Sequence, residues 1–182
     1  MITSQPCSKK VFFDTEFTGL SSDPRLLSIA LVADSGETLY IEFTDGWSEA
    51  QCSSWVKEHV LPMLGNGERL TRREAVARIL AWIAAFESTP TLLAETSWDT
   101  DLFADLIREC GIPRDCICFK ALEFSGKAQA NAFEAAKQCY FKSKQGTQHH
   151  ALTDAHAFHA AWGSVFGAVT PKRHDPSHTK ID

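Results

Sequence analysis

The sequence predicts an α/β domain built on a mixed five-stranded sheet, three antiparallel strands followed by parallel ones, flanked by helices. Three observations predict it. The first 43 residues hold short segments rich in aromatic and β-branched residues, two of them joined by a tight Asp34-Ser35-Gly36 turn. Beyond Gly46 the apolar residues switch to helical spacing, and two later short apolar segments are each followed by a helix. Strands joined by helical crossovers run parallel, which makes the sheet mixed.

The elements follow in order. Lys10 to Glu16 (KVFFDTE) reads as a buried strand running into a turn at Gly19. Arg25 to Val32 and Thr38 to Phe43 complete an antiparallel meander. Ser53 to Leu61 is a short helix stopped by Pro62, and Gly65-Asn66-Gly67 is a loop. Thr71 to Phe86 is the clearest helix: Thr71 and Glu74 match a capping box, and Val76, Ile79, Leu80 and Ile83 share one face. Thr91 to Ala94 is a strand, Asp99 to Cys110 a helix ended by Gly111, and Cys116 to Leu122 another strand. Helices over Ala128 to Cys139 and Ala151 to Phe166 are separated by the polar stretch Phe141 to Gln148. Residues 1–170 form a single domain in this reading, and 171–182 a flexible tail of low apolar content.

With 44% hydrophobic residues, the 182-residue chain can bury a sizeable core. The apolar stretch from Ala75 to Phe86 is broken by Arg78 and flanked by charge, so it does not read as a membrane span. Met1 to Lys10 lacks the apolar run of a secretory signal, and a cytoplasmic location is expected. The six cysteines (Cys7, Cys52, Cys110, Cys116, Cys118 and Cys139) read as reduced thiols; only Cys116 and Cys118 are close, and no second cluster completes a zinc site. The net charge of −5 argues against coating of long duplexes but not against a grip on a few terminal nucleotides. Two divalent cations on clustered carboxylates would bring the loaded chain close to neutral.

Three segments could carry chemistry. Asp14 and Glu16 are two apart on a strand, so their side chains leave one face roughly 7 Å apart and could share a metal. Two solvated acids at a strand end would show the same spacing. Asp99 lies in Ser97 to Phe103, at a strand–helix junction where α/β sites form, and could equally be a helix cap. Gln148 to Ala155 (QHHALTDA) combines imidazole and carboxylate at a helix start. On one continuous helix His149 and Asp154 would be roughly 140° apart, so His149 must sit on the preceding loop if both face one site. A surface cluster with His150, His156 and His159 is the plainer account.

Taken together, the three segments resemble the DEDDh exonuclease superfamily, which includes polymerase proofreading exonucleases and oligoribonucleases on the ribonuclease H-like fold. Phe13 to Leu20 (FDTEFTGL) is similar to the first motif, FDTETTGL, with Phe17 as the departure, and His149 to Ala155 matches HxALxDA. In the middle motif Leu102 and Phe103 follow Asp99 at the family spacing. Asp101, followed by Ala104 and Asp105, fits less well but remains open. The family's frequent upstream asparagine is replaced by residues such as Glu95 and Thr96.

The resemblance implies that Asp14, Glu16, Asp99 and Asp154 bind two Mg²⁺ or Mn²⁺ ions and that His149 is the general base. It also implies that Thr15, Thr18, Gly19 and Leu20 meet the terminal nucleotide. The implied activity is metal-dependent 3′–5′ release of nucleoside monophosphates from single-stranded nucleic acid, with DNA and RNA both open. Lys142 and Lys144 are candidate phosphate contacts, and Trp47 and Trp55 are surface candidates for a homodimer. Two other readings stand beside it. One is a phosphatase of the haloacid dehalogenase type, because Asp14 to Thr18 resembles DxDxT; the other is a non-catalytic nucleic-acid-binding module on a nuclease fold.

Overall fold

Strand β1 (Lys10–Phe17) lies inside the sheet and joins its antiparallel side to its parallel side. On one side it runs antiparallel to β2 (Leu26–Ala33), and β2 antiparallel to β3 (Thr38–Phe43). On the other side it runs parallel to β5 (Thr91–Ala94), and β5 parallel to β6 (Cys118–Ala121). This computed structural model describes residues 9–113, 117–144 and 148–167. The expected tail at 171–182, Cys7 and Cys116 lie outside the described residues.

The mixed sheet flanked by helices is as expected, but it has six strands rather than five, in the order β4-β3-β2-β1-β5-β6. The added strand, β4 (Glu68–Leu70), pairs parallel with β3 and has no apolar run to announce it. A single side chain gathers the turn that leads into it. Glu42, 4% exposed on β3, accepts hydrogen bonds at Oε1 from the backbone N–H groups of Gly65, Asn66 and Gly67, at 2.7, 3.0 and 3.0 Å. Burial would raise its pKa, but the three donors outweigh that and lower it. The turn lies so close that a Cβ at Gly67 would come within 2.9 Å of Glu42 Cγ and the Tyr40 ring, a separation only glycine permits.

Helices cover both faces. Val11 and Phe13 of β1 face α2 (Arg72–Ala84) and α3 (Ser97–Glu109), whose Ile79 and Phe103 are fully buried among them. Phe12, of opposite pleat, packs with Phe133 of α4 (Lys127–Lys144) and Phe158 of α5 (Ala151–Phe166). The Thr71–Glu74 capping box is present at the start of α2. Helix α4 extends five residues past the expected end at Cys139, because Phe141 is buried and carries the helix on. Lys142 and Lys144 therefore stand on its last turn rather than on a loop. The short α1 (Ser54–His59) is capped by Ser53. Among the described residues, no helix is long and apolar enough to cross a membrane.

Glu42→Ala would leave three backbone donors without their acceptor, at a cost of about 2–3 kcal/mol in urea denaturation. Glu68→Ala, which breaks only the exposed Arg78–Glu68 pair, should cost under about 0.5 kcal/mol. Equal effects would remove Glu42 as the anchor of β4.

Candidate active site

Asp14 and Glu16 continue the stripe begun by Phe12 and so point to the face covered by α4 and α5. A register shift in the β1–β2 pairing falls immediately after Glu16, where a bulge re-aims the strand end. On α5, Ala151 and Ala155 pack directly on Ala30, Val32 and Tyr40. These small side chains let the helix descend on the sheet and bring Asp154 to the β1 pair. One carboxylate oxygen from each of Asp14, Glu16 and Asp154 lies within 4.8 Å of the others.

Asp99 borders this group without joining the three-way cluster. Helix α3 begins two residues before the expected start, with Thr96 at its cap position, so Asp99 occupies the third helical position and is not the cap. Its Oδ1 accepts the Thr15 N–H (3.2 Å) and hydroxyl (2.7 Å), and its Oδ2 accepts the Thr96 hydroxyl (2.6 Å). Asp99 is 5% exposed and lines the cavity; Asp101 is exposed and does not.

His149 sits on the turn before α5, as the helical geometry required. Its φ of 67° is unusual for a residue with a side chain. The turn is held by Asp154, whose Oδ2 accepts the backbone N–H groups of His149 (2.8 Å) and His150 (3.2 Å). The imidazole stands edge-on to Trp55 of α1, with ring centroids 4.6 Å apart, and Trp55 in turn stacks on His59. One carboxylate thus takes part in the cluster and also fixes the backbone that carries the imidazole.

Burial and mutual repulsion set the electrostatics. Burial, then the charges of Asp99, Asp154, Glu16 and Glu95, hold Asp14 well above the usual carboxylate range. Burial with Asp154 and Asp99 pushes Glu16 up to about 8. Burial raises Asp154 to about 6 against the pull of the His149 and His150 N–H groups and Lys137. Burial, followed by the nearby His59 and Lys137, lowers His149 and keeps its imidazole neutral near pH 7. Crowded, half-buried carboxylate oxygens of this kind form a hard donor set that fits Mg²⁺ or Mn²⁺, whose charge would relieve the repulsion.

The cluster lies between two unlike recesses. An apolar cleft of about 390 Å³ adjoins Glu16 and is lined by Phe17, Gly19, Leu20, Ser53, Trp55 and Val56. A polar cavity of about 320 Å³ adjoins Asp14 and Asp154 and is lined by His149, Gln148, Glu95 and Lys137 among others. Leu20 is 77% exposed at the cleft mouth. Gly19, at φ 129°, lets the strand end pass Ser53, whose Cβ would lie 3.1 Å from a Cβ at 19. Thr15 and Thr18 are buried and engaged within the protein: Thr15 donates to Asp99, and Thr18 Oγ1 accepts the Arg25 N–H (3.0 Å).

Sequence reasoning missed the Lys137–Glu95 ion pair, which joins residues 42 apart, and missed Trp98, which stacks on Phe17 beside the cluster. The departure at Glu95 was the one available signal. Of the two tryptophans left open, Trp55 is half-exposed at the site. Trp47 instead packs against the core and donates from Nε1 to the Phe43 carbonyl (2.8 Å).

No family model and no curated protein matches the chain by sequence. Its architecture does match solved structures. E. coli Exonuclease I in complex with a dA16 oligonucleotide superposes with a TM-score of 0.55 at 12% identity, over 87% of this chain and 41% of that one. The zinc-bound Exonuclease I–ssDNA complex gives 0.56 at 12% identity, over 91% and 41%. S. pombe Pop2p in its Mg²⁺- and Mn²⁺-bound form gives 0.58 at 14% identity, over 88% and 83%. The chain thus spans less than half of the Exonuclease I chain. At these identities the likeness is one of fold, and that fold is the ribonuclease H-like one anticipated from the motifs.

A carboxyl group whose pKa is raised by folding contributes stability below its unfolded value, near 4.5 for Glu16, and loses it as pH rises through the folded value, about 8. In EDTA, the wild type should therefore lose about 1–3 kcal/mol relative to Asp14→Asn between those pH values in urea titrations. Mn²⁺ at pH 8 should restore the wild type more than the variant. A stability gap that does not change with pH would show that the carboxylates do not repel one another.

Proposed function

We propose that the protein is a metal-dependent 3′–5′ exonuclease that hydrolyses terminal phosphodiester bonds of single-stranded nucleic acid, DNA or RNA, and releases nucleoside monophosphates. The carrying observation is the meeting of Asp14, Glu16 and Asp154 in one cluster, with His149 beside them on the wall of the recess they share. The sequence motifs and the oligonucleotide- and metal-bound neighbours support the reading. A phosphatase built on Asp14 alone would leave Asp154 and His149 without a role.

Asp14, Glu16 and Asp154 would hold the cations, with Asp99 completing the set from α3. Bound there, divalent cations supply an activated water and positive charge against the phosphate. The chain itself does the rest. Asp154 engages two backbone N–H groups through Oδ2, which leaves Oδ1 as the oxygen turned to other duty. His149, neutral near pH 7, accepts the proton of the attacking water. Trp55 limits the swing of that imidazole and, with Phe17 and Leu20, offers apolar surface to the terminal base. Thr15 and Thr96 hold Asp99 beside the other acids against their repulsion.

Asp14→Ala and His149→Ala should fold and lose Mn²⁺-dependent release of mononucleotides from a 3′-labelled oligonucleotide by about 10³-fold or more. A matched panel of DNA and RNA, single- and double-stranded, identifies the sugar. Undiminished activity in either variant overturns the assignment. Trp55→Ala should raise KM and also lower kcat, because one ring serves both the base cleft and His149; an effect on KM alone would deny it the second role.

A further inference from the structure

The polar cavity holds a cation that no step above requires. Lys137 of α4 reaches Glu95 at the carboxyl end of β5, and its Nζ donates to both carboxylate oxygens, at 2.5 and 2.8 Å. The two side chains are 16% and 23% exposed. Among the described residues Lys137 is the only lysine or arginine lining this cavity, where it faces Asp14, Glu95, Asp99, Glu134 and Asp154. An ammonium has three donors. Glu95 takes two, and the third has no acceptor among the described residues.

The shape of a phosphodiester indicates what this donor meets. If the nuclease reading holds, the scissile phosphate lies over the acid cluster with one nucleoside on either side. The recess beside Glu16 is apolar and suits a base, while the one beside Asp14 and Asp154 offers a cation and the amides of Gln138 and Gln148. We propose that Lys137, held by Glu95, binds the phosphate on the 5′ side of the penultimate nucleotide, which makes the polar cavity a subsite for the second nucleotide from the end. A phosphate gives the third N–H a charged acceptor, and the Glu95 tether limits the rotamer freedom lost on binding.

A dinucleotide isolates this contact, because its 5′-terminal phosphate is the phosphate in question. Dithymidylate and diuridylate, each with and without a 5′-phosphate, are compared in the sugar series the wild type cleaves. The wild type should show about a tenfold higher kcat/KM for the phosphorylated form. In Glu95→Gln/Lys137→Met, which leaves no unpaired charge, the two forms should differ by less than about twofold. Circular dichroism and the melting temperature confirm that the variant is folded. No preference in the wild type, or a preference kept by the variant, overturns the subsite. Failure of the wild type to cleave any of the four, with longer oligonucleotides also intact, overturns the nuclease reading itself.

Discussion

Like charge forced together under partial burial is the constraint on which the rest of this structure depends. Asp14 and Glu16 both lie in the ladder that joins β1 to β2, so neither can move away without disturbing the sheet. Asp154 comes from a helix pressed onto that sheet by alanines. Each acid would be more comfortable in water, and burial raises the pKa of all three. The stability that tolerates this comes from elsewhere. Phe13 and Phe103 on one face, with Phe12, Phe133 and Phe158 on the other, bury large side chains around a site that opposes folding until its charge is met. The cost is confined to one end of β1, next to a bulge where the ladder is already irregular.

The same constraint explains the odd backbone at His149. A left-handed residue with a side chain persists only where its surroundings over-determine it. Here two N–H groups bind Asp154 Oδ2, and the ring rests against Trp55. The acid cluster and the placement of the imidazole are thus linked through one shared carboxylate. The aromatic wall links α1 to this turn, although α1 is only a six-residue helix whose contribution to the core is modest.

What was legible in the sequence was whatever arises from local pattern. The aromatic strand of β1, the capping box and apolar face of α2 and the helical span of α5 each arise from residues close together in the chain, and each was readable within a few residues. The illegible features depend on partners far along the chain. Strand β4 has three residues and no apolar stripe; it pairs with β3 where Glu42, more than twenty residues earlier, gathers the backbone donors of the turn that leads into it. Asp99 resembled a cap because the hydroxyls of Thr15 and Thr96 that hold it cannot be inferred from spacing. The last turns of α4 looked polar, and only the burial of Phe141 shows why the helix continues. At the site the motif carboxylates and His149 were readable, whereas the surfaces around them were not.

Those surfaces matter because charge cannot bring a polyanion here. With a net charge of −5, the chain offers nucleic acid little long-range attraction, and five carboxylates line the polar cavity. Under the proposed function, recognition would then act at contact distance, through stacking on half-exposed Trp55 and Trp98 and apolar contact with Leu20. Stacking tolerates any base, since every base has a π-face. The proposed removal of whichever nucleotide comes last needs no base readout, and a cleft of this kind would supply grip without it. The acidic surroundings also act as a filter. Under the proposed function, a phosphate drawn to the metal-loaded cluster would escape that repulsion, and the apolar cleft beside Glu16 would receive the terminal base.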